Sequence, residues 1–448
     1  MGKVLLIQPA FEFNKNNKDN ASMPLGLIYM GTVLKEKNHQ VKILDRNINN
    51  SDEYLKNLLS EAYDFVGIGT FTGPMLFDAI HVSKITKKNS NSKVIWGSFH
   101  PTIMPEQTLE NEYVDHIIRG EGENVFLEMV ELNDLGENYS KLRGLDLNPL
   151  ADPVDINKLP FPDYDLINVK DYSEFFILTS RGCPFRCTFC YNSYGEKSIK
   201  PYRFLSAEKT IELITRLTSK YKIKTFTIPD DNFAADKERL KTVCNSIAKL
   251  KLKFYCLIRA NNCDIETLSY LKNAGAWNVC IGFESGSQKI LNFMKKGTTV
   301  EMNATAIKNI KKIGILSEGS FMIGLPTETI EDIELTFKFI KENKCDNGGV
   351  KIFQPFPKTK LWDYCIEKNL IKEIPKTTEE WASRYVAGFD KVVLNVSEVP
   401  DKTLEEYYGL VEIELKKGSY SKKIVSYIKN GRLPNYKKIK QLVKRYIK

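Results

Sequence analysis

Residues 175–190 read F-F-I-L-T-S-R-G-C-P-F-R-C-T-F-C, an apolar run followed directly by three closely spaced cysteines. The run predicts a β-strand, and the spacing C-x-x-x-C-x-x-C places Cys183, Cys187 and Cys190 in the loop after it. Three thiolates in one loop can ligate three irons of a [4Fe–4S] cube and leave the fourth iron without a protein ligand. Such an open iron can bind a substrate, whereas a four-cysteine electron carrier offers no comparable site.

A zinc site is the main alternative at this loop. Structural zinc usually takes four ligands with two-residue spacers, and the sequence has no His after residue 116. The nearest further cysteine, Cys244, is too distant in sequence to act as a local fourth ligand. Coincidental buried thiols are a weaker alternative, and the scattered positions of the other cysteines do not favour a disulfide framework.

Strand and helix patterns alternate on both sides of the cysteine loop. Strands are predicted after residue 174 at 175–180, 224–229, 253–258, 277–282, 319–324 and 350–354, with helices between them. Six such units predict a partial (β/α)6 barrel over residues 175–370, with its active site at the carboxyl ends of the strands.

An earlier alternating series predicts a Rossmann-like domain over residues 1–145. Ligands of such parallel sheets lie at the carboxyl ends of the strands, and the loops predicted there are 69–74, 97–102 and 119–123. These loops are rich in Gly, Ser and Thr, as a loop close to a polar ligand should be, although ordinary βα turns are the alternative. A proline-rich linker is predicted at 146–174, and a small helical C-terminal region at 371–448.

The composition of the 448 residues, 42% hydrophobic and 27% charged, is that of an ordinary globular chain. No apolar run approaches the roughly 18 residues that a membrane span requires, and the N-terminus reads as a strand and not as a signal peptide. We therefore expect a cytoplasmic protein in which thiols stay reduced.

The net charge of +9 arises at the C-terminus. Of the 65 Lys and Arg, twelve lie in residues 416–448, which contain no Asp or Glu, so that 53 basic residues elsewhere face 56 acidic ones. Near the end, apolar residues recur at helical spacing and predict a basic amphipathic helix. This tail allows a contact with an anionic surface, and a docked terminal helix with a solvated basic face is the alternative.

The segment C-P-F-R-C-T-F-C at 183–190 resembles the signature of the radical S-adenosylmethionine superfamily, including the aromatic Phe189 before the last cysteine. The resemblance implies that Cys183, Cys187 and Cys190 hold a [4Fe–4S] cluster whose open iron chelates S-adenosylmethionine. An electron from the cluster would then cleave the sulfonium to a 5′-deoxyadenosyl radical.

Later strand ends follow the order of the superfamily's S-adenosylmethionine contacts. P-D-D-N-F at 229–233 stands where the superfamily has a Gly-Gly-Glu segment that holds the methionine amine, and it departs from that literal sequence. Arg259 would pair with the methionine carboxylate, and G-F-E-S-G-S at 282–287 stands where the ribose is bound. The implied contacts are Phe189, Asp230, Asp231, Arg259, Glu284 and Ser285.

The N-terminal half is similar to the cobalamin-binding class of this superfamily. P-L-G-L-I-Y-M-G at 24–31, W-G-S-F-H-P-T at 96–102 and R-G-E-G-E at 119–123 stand as that class has them. The resemblance covers about residues 1–370. It implies cobalamin contacts by Thr70, Phe71, Thr72, Gly97, Ser98, His100 and Glu121.

One motif of the class is missing. Many cobalamin domains supply a His to cobalt through D-x-H-x-x-G, but none of the four histidines here has an Asp two residues before it. We therefore expect no cobalt–His bond through that motif. A residue of the loop 69–74, or a water, would face cobalt instead.

The resemblance implies an enzyme, most simply a methyltransferase acting on an unactivated carbon or phosphorus centre. Methylcobalamin would donate the methyl group after the radical abstracts hydrogen. A cyclase or a ring-rearranging or oxidising enzyme without methyl transfer is the alternative. An RNA methylthiotransferase is less favoured, because those relatives carry three further cysteines in the N-terminal domain; a non-catalytic carrier is disfavoured by the two adjoining cofactor sites. The implied partners are a small-molecule or carrier-linked substrate and a flavodoxin- or ferredoxin-type reductant.

Overall fold

The computed structural model describes residues 1–11, 21–193, 201–384 and 392–417. The predicted amphipathic helix and the basic tail beyond residue 417 lie outside these described residues. The predicted α/β class is confirmed, because two five-stranded parallel sheets alternate along the chain with helices.

The first sheet has the strand order β2-β1-β3-β4-β5, and every neighbouring pair is parallel. Its strands are β1 (Lys3–Gln8), β2 (Gln40–Asp45), β3 (Phe65–Gly69), β4 (Lys93–Gly97) and β5 (His116–Ile117). Its helices are α1 (Leu25–Glu36), α2 (Asp52–Leu59), α3 (Met75–Asn89), α4 (Phe99–Ile103), α5 (Pro105–Leu109) and α6 (Glu123–Asp134). These bounds agree with the predicted Rossmann-like pattern.

Helices on both faces explain the apolar run of β1. Val4, Leu5, Leu6 and Ile7 are all fully buried, as expected for a central parallel strand covered on both sides. The chain moves from β1 to β2 on one side and then to β3 on the other, so the strand order reverses between β1 and β3. Such a reversal opens a crevice at the carboxyl ends of the strands, where ligands of this architecture bind.

The segment 175–180 does not form the predicted first barrel strand. Only a two-residue strand, β6 (Ser180–Arg181), forms there, and it pairs antiparallel with β7 (Arg203–Phe204). The prediction of a sixth parallel strand at this position was wrong. A short apolar run is compatible with burial outside a sheet, and Phe175 and Ile177 are buried here without joining one.

The second sheet has the order β12-β11-β10-β9-β8, again parallel throughout. Its strands are β8 (Thr225–Ile228), β9 (Lys253–Ile258), β10 (Ala276–Glu284), β11 (Leu316–Ile323) and β12 (Asn347–Ile352). The helices from here on are α7 (Ala207–Lys220), α8 (Lys237–Ile247), α9 (Ile265–Ala274), α10 (Gln288–Phe293), α11 (Val300–Ile313), α12 (Ile330–Asn343), α13 (Lys360–Glu367), α14 (Thr378–Arg384) and α15 (Asp401–Lys416). Single 3-10 turns occupy Tyr164–Leu166, Val169–Asp171, Tyr191–Ser193, Ala248–Leu250 and Ala260–Asn262.

The described residues divide into two compact units, each built from two segments of the chain. The first unit combines Met1–Ser206 with Gln354–Phe389, and the second combines Ala207–Phe353 with Asp390–Lys448. The cysteine loop, α13 and α14 therefore belong with the first sheet, and α15 belongs with the second. The predicted segment boundaries at 145, 174 and 370 stay a prediction.

Glycines end two helices of the second unit in the left-handed conformation. Gly275 follows α9 with φ 103°, and Gly314 follows α11 with φ 75°. A Cβ at Gly275 would lie 2.0 Å from the carbonyl oxygen of Leu252, whereas a Cβ at Gly314 would meet nothing closer than 3.8 Å. Gly275 and Gly314 therefore share a backbone conformation, but only Gly314 has room for a side chain.

We predict that Gly275→Ala destabilises the protein more than Gly314→Ala. Both variants place a Cβ in the left-handed region, at a cost of about 1–2 kcal/mol. Only Gly275→Ala also forces a backbone displacement, which adds about 1–3 kcal/mol. Urea unfolding followed by circular dichroism measures both, and equal midpoints would contradict the assigned contact with Leu252.

Candidate functional site

The three predicted ligand cysteines lie in the loop that follows β6. Cys187 is buried, and Cys183 and Cys190 are partly exposed. The loop turns tightly, because the amide of Cys190 donates to the carbonyl of Cys187 at 3.0 Å, and the amide of Leu361 anchors it through the carbonyl of Thr188 at 3.0 Å. Across the described ranges, no three His, Cys, Asp or Glu side chains already converge as a metal site. The ligand assignment therefore stays a prediction, and a donor set of three thiols suits iron–sulfur.

A buried ion-pair network fixes the strand that enters this loop. Arg181, two residues before Cys183, pairs with Glu123 at 2.6 Å and with Glu121 at 3.2 Å. Arg203, its antiparallel neighbour, donates hydrogen bonds from Nη1 and Nη2 to the two carboxylate oxygens of Glu121, each at 2.8 Å. The R-G-E-G-E segment of the first sheet thus clamps both strands of the β6–β7 ribbon.

The network gives Glu121 partners within the protein. Its carboxylate oxygens accept from Arg203 and from the amide of Val154, at 2.8 Å, so the geometry favours a structural role over the predicted cobalamin contact. Burial would raise the pKa of Glu121, but the hydrogen bonds from Arg203 and the charges of Arg181 and Arg203 outweigh it and hold the pKa at about 2. Glu121 is therefore ionised at neutral pH.

We predict that Glu121→Gln flattens the acid dependence of stability. The pKa of Glu121 is about 2 in the folded protein and 4.5 ordinarily. Its contribution to the free energy of unfolding is therefore complete above pH 4.5 and is lost as the pH falls towards 2. The lost contribution is about 3 kcal/mol. At pH 7 the variant should be about 3–5 kcal/mol less stable, because Arg203 loses its charged partner and Arg181 keeps only Glu123.

Urea unfolding of both proteins between pH 2 and pH 7 measures this difference. Glu131→Gln, at an exposed position of α6, is the matched control and should change stability by less than about 0.5 kcal/mol. Parallel pH profiles for wild type and Glu121→Gln would contradict the ion-pair assignment.

The loops after β3 and β4 meet at the carboxyl edge of the first sheet. The amide of Thr70 donates to the carbonyl of Gly97 at 2.9 Å, and the amide of His100 donates to the carbonyl of Thr70 at 3.1 Å. Ser98 holds φ 79°, which is unusual for a residue with a side chain, and its carbonyl accepts from Thr102 at 2.6 Å. The two loops therefore hold each other in a defined conformation.

This edge offers an apolar surface and open space. Phe71 is 43% exposed, and its ring packs against Phe99 at 5.0 Å between centroids. A Cβ at Gly97 would meet nothing closer than 3.8 Å, so the backbone there is accessible to a flat group. A broad macrocycle such as a corrin fits an exposed aromatic ring beside a bare glycine backbone.

His100 lies beneath this surface and not on it. Its side chain is fully buried, with Nδ1 3.1 Å from the hydroxyl of Thr72 and Nε2 3.0 Å from the amide oxygen of Gln107. Burial lowers the pKa of His100 to about 4, against the opposing hydrogen bond to Gln107, so the imidazole is neutral. The predicted polar contact to the corrin is not favoured by this geometry, because both ring nitrogens already bond within the protein.

In the second unit, three strand ends carry the predicted S-adenosylmethionine contacts. After β8, Asp230 is buried and Asp231 is exposed. After β9, the guanidinium of Arg259 donates to the carbonyl of Lys296. At the end of β10, Glu284 has φ 65° and pairs with Lys296 at 2.7 Å. The structure therefore brings Arg259 and Glu284 together around Lys296, which the sequence analysis missed.

Ser285 is held within the protein. Its hydroxyl is fully buried, lies 3.0 Å from the hydroxyl of Thr336, and accepts from the amide of Ser287 at 3.1 Å. These bonds stabilise the turn after β10 and do not favour the predicted contact with a ribose. The serine-rich motif gave no sign of a partner 51 residues away.

A polar face on the second sheet was also missed. Tyr255, Cys280 and Glu318 lie on three neighbouring strands, are half-buried, and alternate along each strand with buried residues. Cys280 aligns with Glu318 and bonds to Tyr255. Burial, with the charge of Glu318, raises the pKa of Cys280 to about 11. The sequence could have indicated this face, because polar residues recur at every second position in β9 and β11.

The model of the B12 binding domain matches residues 19–130, and that of the radical SAM superfamily matches residues 177–340. An uncharacterized methyltransferase of Pyrococcus horikoshii is 35% identical over 395 residues, which cover 82% of this chain and 84% of the relative. The chain belongs to the cobalamin-binding radical S-adenosylmethionine enzymes.

Other members of this enzyme family are more distant. The anaerobic magnesium-protoporphyrin IX monomethyl ester cyclase of Rubrivivax gelatinosus is 26% identical, over 80% of this chain and 69% of the cyclase. The structure of the radical S-adenosylmethionine methyltransferase TsrM from Kitasatospora setae, with cobalamin and a [4Fe–4S] cluster bound, has a TM-score of 0.71. It is 18% identical, over 84% of this chain and 76% of TsrM. This likeness confirms the fold.

Family membership gives this radical S-adenosylmethionine enzyme its cofactors, which are a [4Fe–4S] cluster, S-adenosylmethionine and cobalamin. The chemistry of the residues present fits each of them: three thiols for iron, the charges of Arg259 and Glu284 for S-adenosylmethionine, and the Phe71–Gly97 surface for a corrin. Among the helices that the structure describes, none has the length and apolarity to cross a membrane.

Proposed function

We propose that this enzyme transfers a methyl group to an unactivated carbon or phosphorus centre. The observation that supports this most strongly is the 35% identity, across most of both chains, to a relative named as a methyltransferase. The fold shared with TsrM, also named as a methyltransferase, agrees with it. The likeness to the cyclase keeps cyclisation without methyl transfer as the second candidate.

The cofactors supply the difficult chemistry, namely one-electron cleavage of S-adenosylmethionine and a transferable methyl group, and the chain holds and orients them. Cys183, Cys187 and Cys190 would ligate the cluster, with Phe189 beside it. In the second unit, Arg259 would bind the methionine carboxylate and Glu284 the ribose. Asp231 is exposed at its strand end and free of the burial that restricts Asp230, so it is the better candidate for the methionine amine.

The corrin would lie on the carboxyl edge of the first sheet. Phe71, with its exposed ring, is the residue of the loop 69–74 best placed to face cobalt, whereas Thr70 is fully buried and bonded to Gly97. Gly97 and Ser98 would approach the ring through their backbone. These residues would hold the corrin, and the cofactor would supply a transferable methyl group there.

The substrate would bind in the second unit against the polar face formed by Tyr255, Cys280 and Glu318. A hydroxyl, a thiol and a carboxylate on adjacent strands can donate to and accept from a polar molecule, while the remaining cofactors occupy the strand ends. The proposed substrate is a small molecule, free or linked to a carrier. A flavodoxin- or ferredoxin-type protein would supply the electron, and the absence of disulfides among the described cysteines supports a reducing compartment such as the cytoplasm.

We predict that Cys183→Ala, Cys187→Ala and Cys190→Ala each lose the cluster. Anaerobically reconstituted wild type should hold about four irons per chain and show a [4Fe–4S] signal that S-adenosylmethionine perturbs. Cys244→Ala is the matched control, because this thiol is buried in α8 and the rise of its pKa with burial makes it a poor ligand. Iron analysis and electron paramagnetic resonance measure both, and loss of the cluster in Cys244→Ala would contradict the three-ligand assignment.

Methyl transfer itself is tested with S-adenosylmethionine that carries a deuterated methyl group. A methyltransferase of this kind uses one S-adenosylmethionine to methylate cobalamin and another to generate the radical. With reduced cobalamin and no substrate, the label should appear on cobalamin, and S-adenosylhomocysteine should accumulate. With substrate, S-adenosylhomocysteine and 5′-deoxyadenosine should form in comparable amounts. Turnover that yields 5′-deoxyadenosine alone, with unlabelled cobalamin, would exclude methylation and favour the cyclase.

A further inference from the structure

The second sheet has one polar face and one buried face. On the polar face, Asn278 and Cys280 lie two residues apart on β10, and Glu318 on β11 aligns with Cys280. On β9, Tyr255 aligns with Asn278. The alternate residues of these strands point to the other face and are buried, namely Cys256, Val279, Ile281, Ser317, Gly319 and Phe321. The polar groups of three strands therefore collect on one surface of the second unit.

The carboxylate of Glu318 keeps most of its capacity to accept hydrogen bonds. Glu318 is half-buried, and no Lys, Arg or His in the part of the chain that the structure describes forms an ion pair with it. Among those residues its hydrogen-bond donor is Nδ2 of Asn278, at 3.4 Å, which is a long and weak bond. A carboxylate has about four acceptor sites. Glu318 therefore carries a charge that the described residues leave unpaired.

Asn278 places a second unused acceptor beside this carboxylate. The residue is 6% exposed, and because its Nδ2 donates to Glu318, the orientation of the amide is fixed. Its Oδ1 is buried and has no hydrogen-bond donor among the described residues. A buried acceptor without a donor is costly, so this pair of acceptors favours a ligand that brings several N–H groups.

The neighbouring side chains do not neutralise Glu318. Burial, with the charge of Glu318, raises the pKa of Cys280 to about 11 and raises the pKa of Tyr255 above its usual range, so both groups are neutral at pH 7. The lysine of β12, Lys351, aligns with Met322, four residues beyond Glu318 along the strand. At Cys280 the charge of Glu318 has the larger effect and that of Lys351 the smaller.

A row of small residues lies between Glu318 and the carboxyl ends of the strands. Its members align across β10, β11 and β12 and are Gly282, Ser320 and Gly349. A Cβ at Gly282 would lie 2.2 Å from Oε1 of Glu284 and 3.1 Å from Nζ of Lys296, so this ion pair packs against the row. The row is two residues from Glu318, or about 7 Å along the sheet. A small ligand on Glu318 can therefore extend towards Glu284.

We propose that the substrate carries a cationic nitrogen group, such as a protonated amine, that binds to the carboxylate of Glu318 and the amide oxygen of Asn278. This inference rests on the proposed function, in which the substrate binds against this face. A protonated amine brings several N–H donors and one positive charge. These match the two unused acceptors and the unpaired charge of Glu318, whereas an anionic substrate would be repelled.

S-adenosylmethionine also carries an ammonium group, but its proposed contacts lie elsewhere on the sheet. Asp231, Arg259 and Glu284 follow or end their strands, whereas Asn278 and Glu318 are each the third residue of a strand. The affinity for S-adenosylmethionine distinguishes the two sites. Its Kd, measured by equilibrium dialysis, should stay within about 2-fold of the wild-type value in Glu318→Gln. A large loss would assign Glu318 to the cofactor and overturn the proposal.

The main test compares two thiol reagents of opposite charge at Cys280, in the full-length reconstituted protein. Both are ethyl methanethiosulfonates, and one carries a trimethylammonium group where the other carries a sulfonate. Each rate is measured by mass spectrometry of the peptide that contains Cys280 and is divided by the rate with free cysteine. In wild type, the normalised rate of the cationic reagent should exceed that of the anionic reagent by about 10-fold or more.

Variants of Glu318 show whether this carboxylate is the cause. The ratio should fall to about 1 in Glu318→Gln and stay close to the wild-type ratio in Glu318→Asp, which keeps the charge. Glu342→Gln, at an exposed position of α12, is the matched control and should leave the ratio unchanged. A change in the pKa of Cys280 affects both reagents alike, so the ratio measures the local charge.

A bound amine should also shield Cys280. Propylammonium chloride should slow modification by an uncharged methanethiosulfonate in wild type, whereas 1-propanol and potassium chloride at the same concentration should not. The protection should be lost in Glu318→Gln and weakened in Asn278→Leu, which removes the amide oxygen.

Four results would overturn the proposal while leaving the proposed function intact. They are equal normalised rates in wild type, a ratio that Glu318→Gln does not change, a Cys280 that neither charged reagent modifies, and no protection by propylammonium. Methylation of cobalamin by labelled S-adenosylmethionine needs no substrate, so it tests the proposed function separately. A protein that selects cations at Cys280 but transfers no label to cobalamin would overturn only the methyltransferase proposal.

Discussion

The ion pairs of Arg181 support the arrangement of the whole first unit. The Arg181 side chain extends from the strand that leads into the cysteine loop. It pairs with Glu121 in the loop after β5 and with Glu123 at the start of α6. The charges of both glutamates outweigh burial and raise the pKa of Arg181 above its usual range, so the guanidinium stays charged. A buried charge without its partners is strongly unfavourable, so these ion pairs hold the strand that leads into the cysteine loop against the R-G-E-G-E segment.

Much of the fold could be predicted because it follows from local patterns. The strands of both parallel sheets are apolar runs between helical periods, and their order along the chain predicts the two α/β layers. Residues 175–180 were the exception. Their pattern is that of a strand, but Phe175 stacks on Tyr164 of the predicted linker at 4.7 Å, and β6 pairs antiparallel with β7. Sequence periodicity records that a residue is buried, and it contains no information about the partner that buries it.

Missing information about partners also limits what the sequence can say about the candidate site. The three cysteines stand out in the sequence because they lie within eight residues, and their role as cluster ligands stays a prediction. Glu121, His100 and Ser285 were assigned to ligands from their motifs, yet their polar atoms bond to Arg203, Gln107 and Thr336, which lie far away in sequence or carry no motif of their own. Lys296 belongs to none of the motifs considered and was missed, because only the folded chain brings its ammonium group to Glu284. A motif indicates that a position is constrained, and the structure is needed to distinguish a constraint by a cofactor from one by a neighbouring side chain.

The discontinuous first unit has a consequence for synthesis on the ribosome. Its α14 supplies Thr378 to Gln107, and Trp381, which lies 6.5 Å from the ring of His100. These residues follow the entire second sheet in the chain, and at about 5–20 residues per second they emerge roughly 10–40 s after residue 181. During that interval the Rossmann-like sheet can form before Thr378 and Trp381 are present to contact Gln107 and His100. The first unit therefore completes its contacts only after the strands of the second sheet have been synthesised.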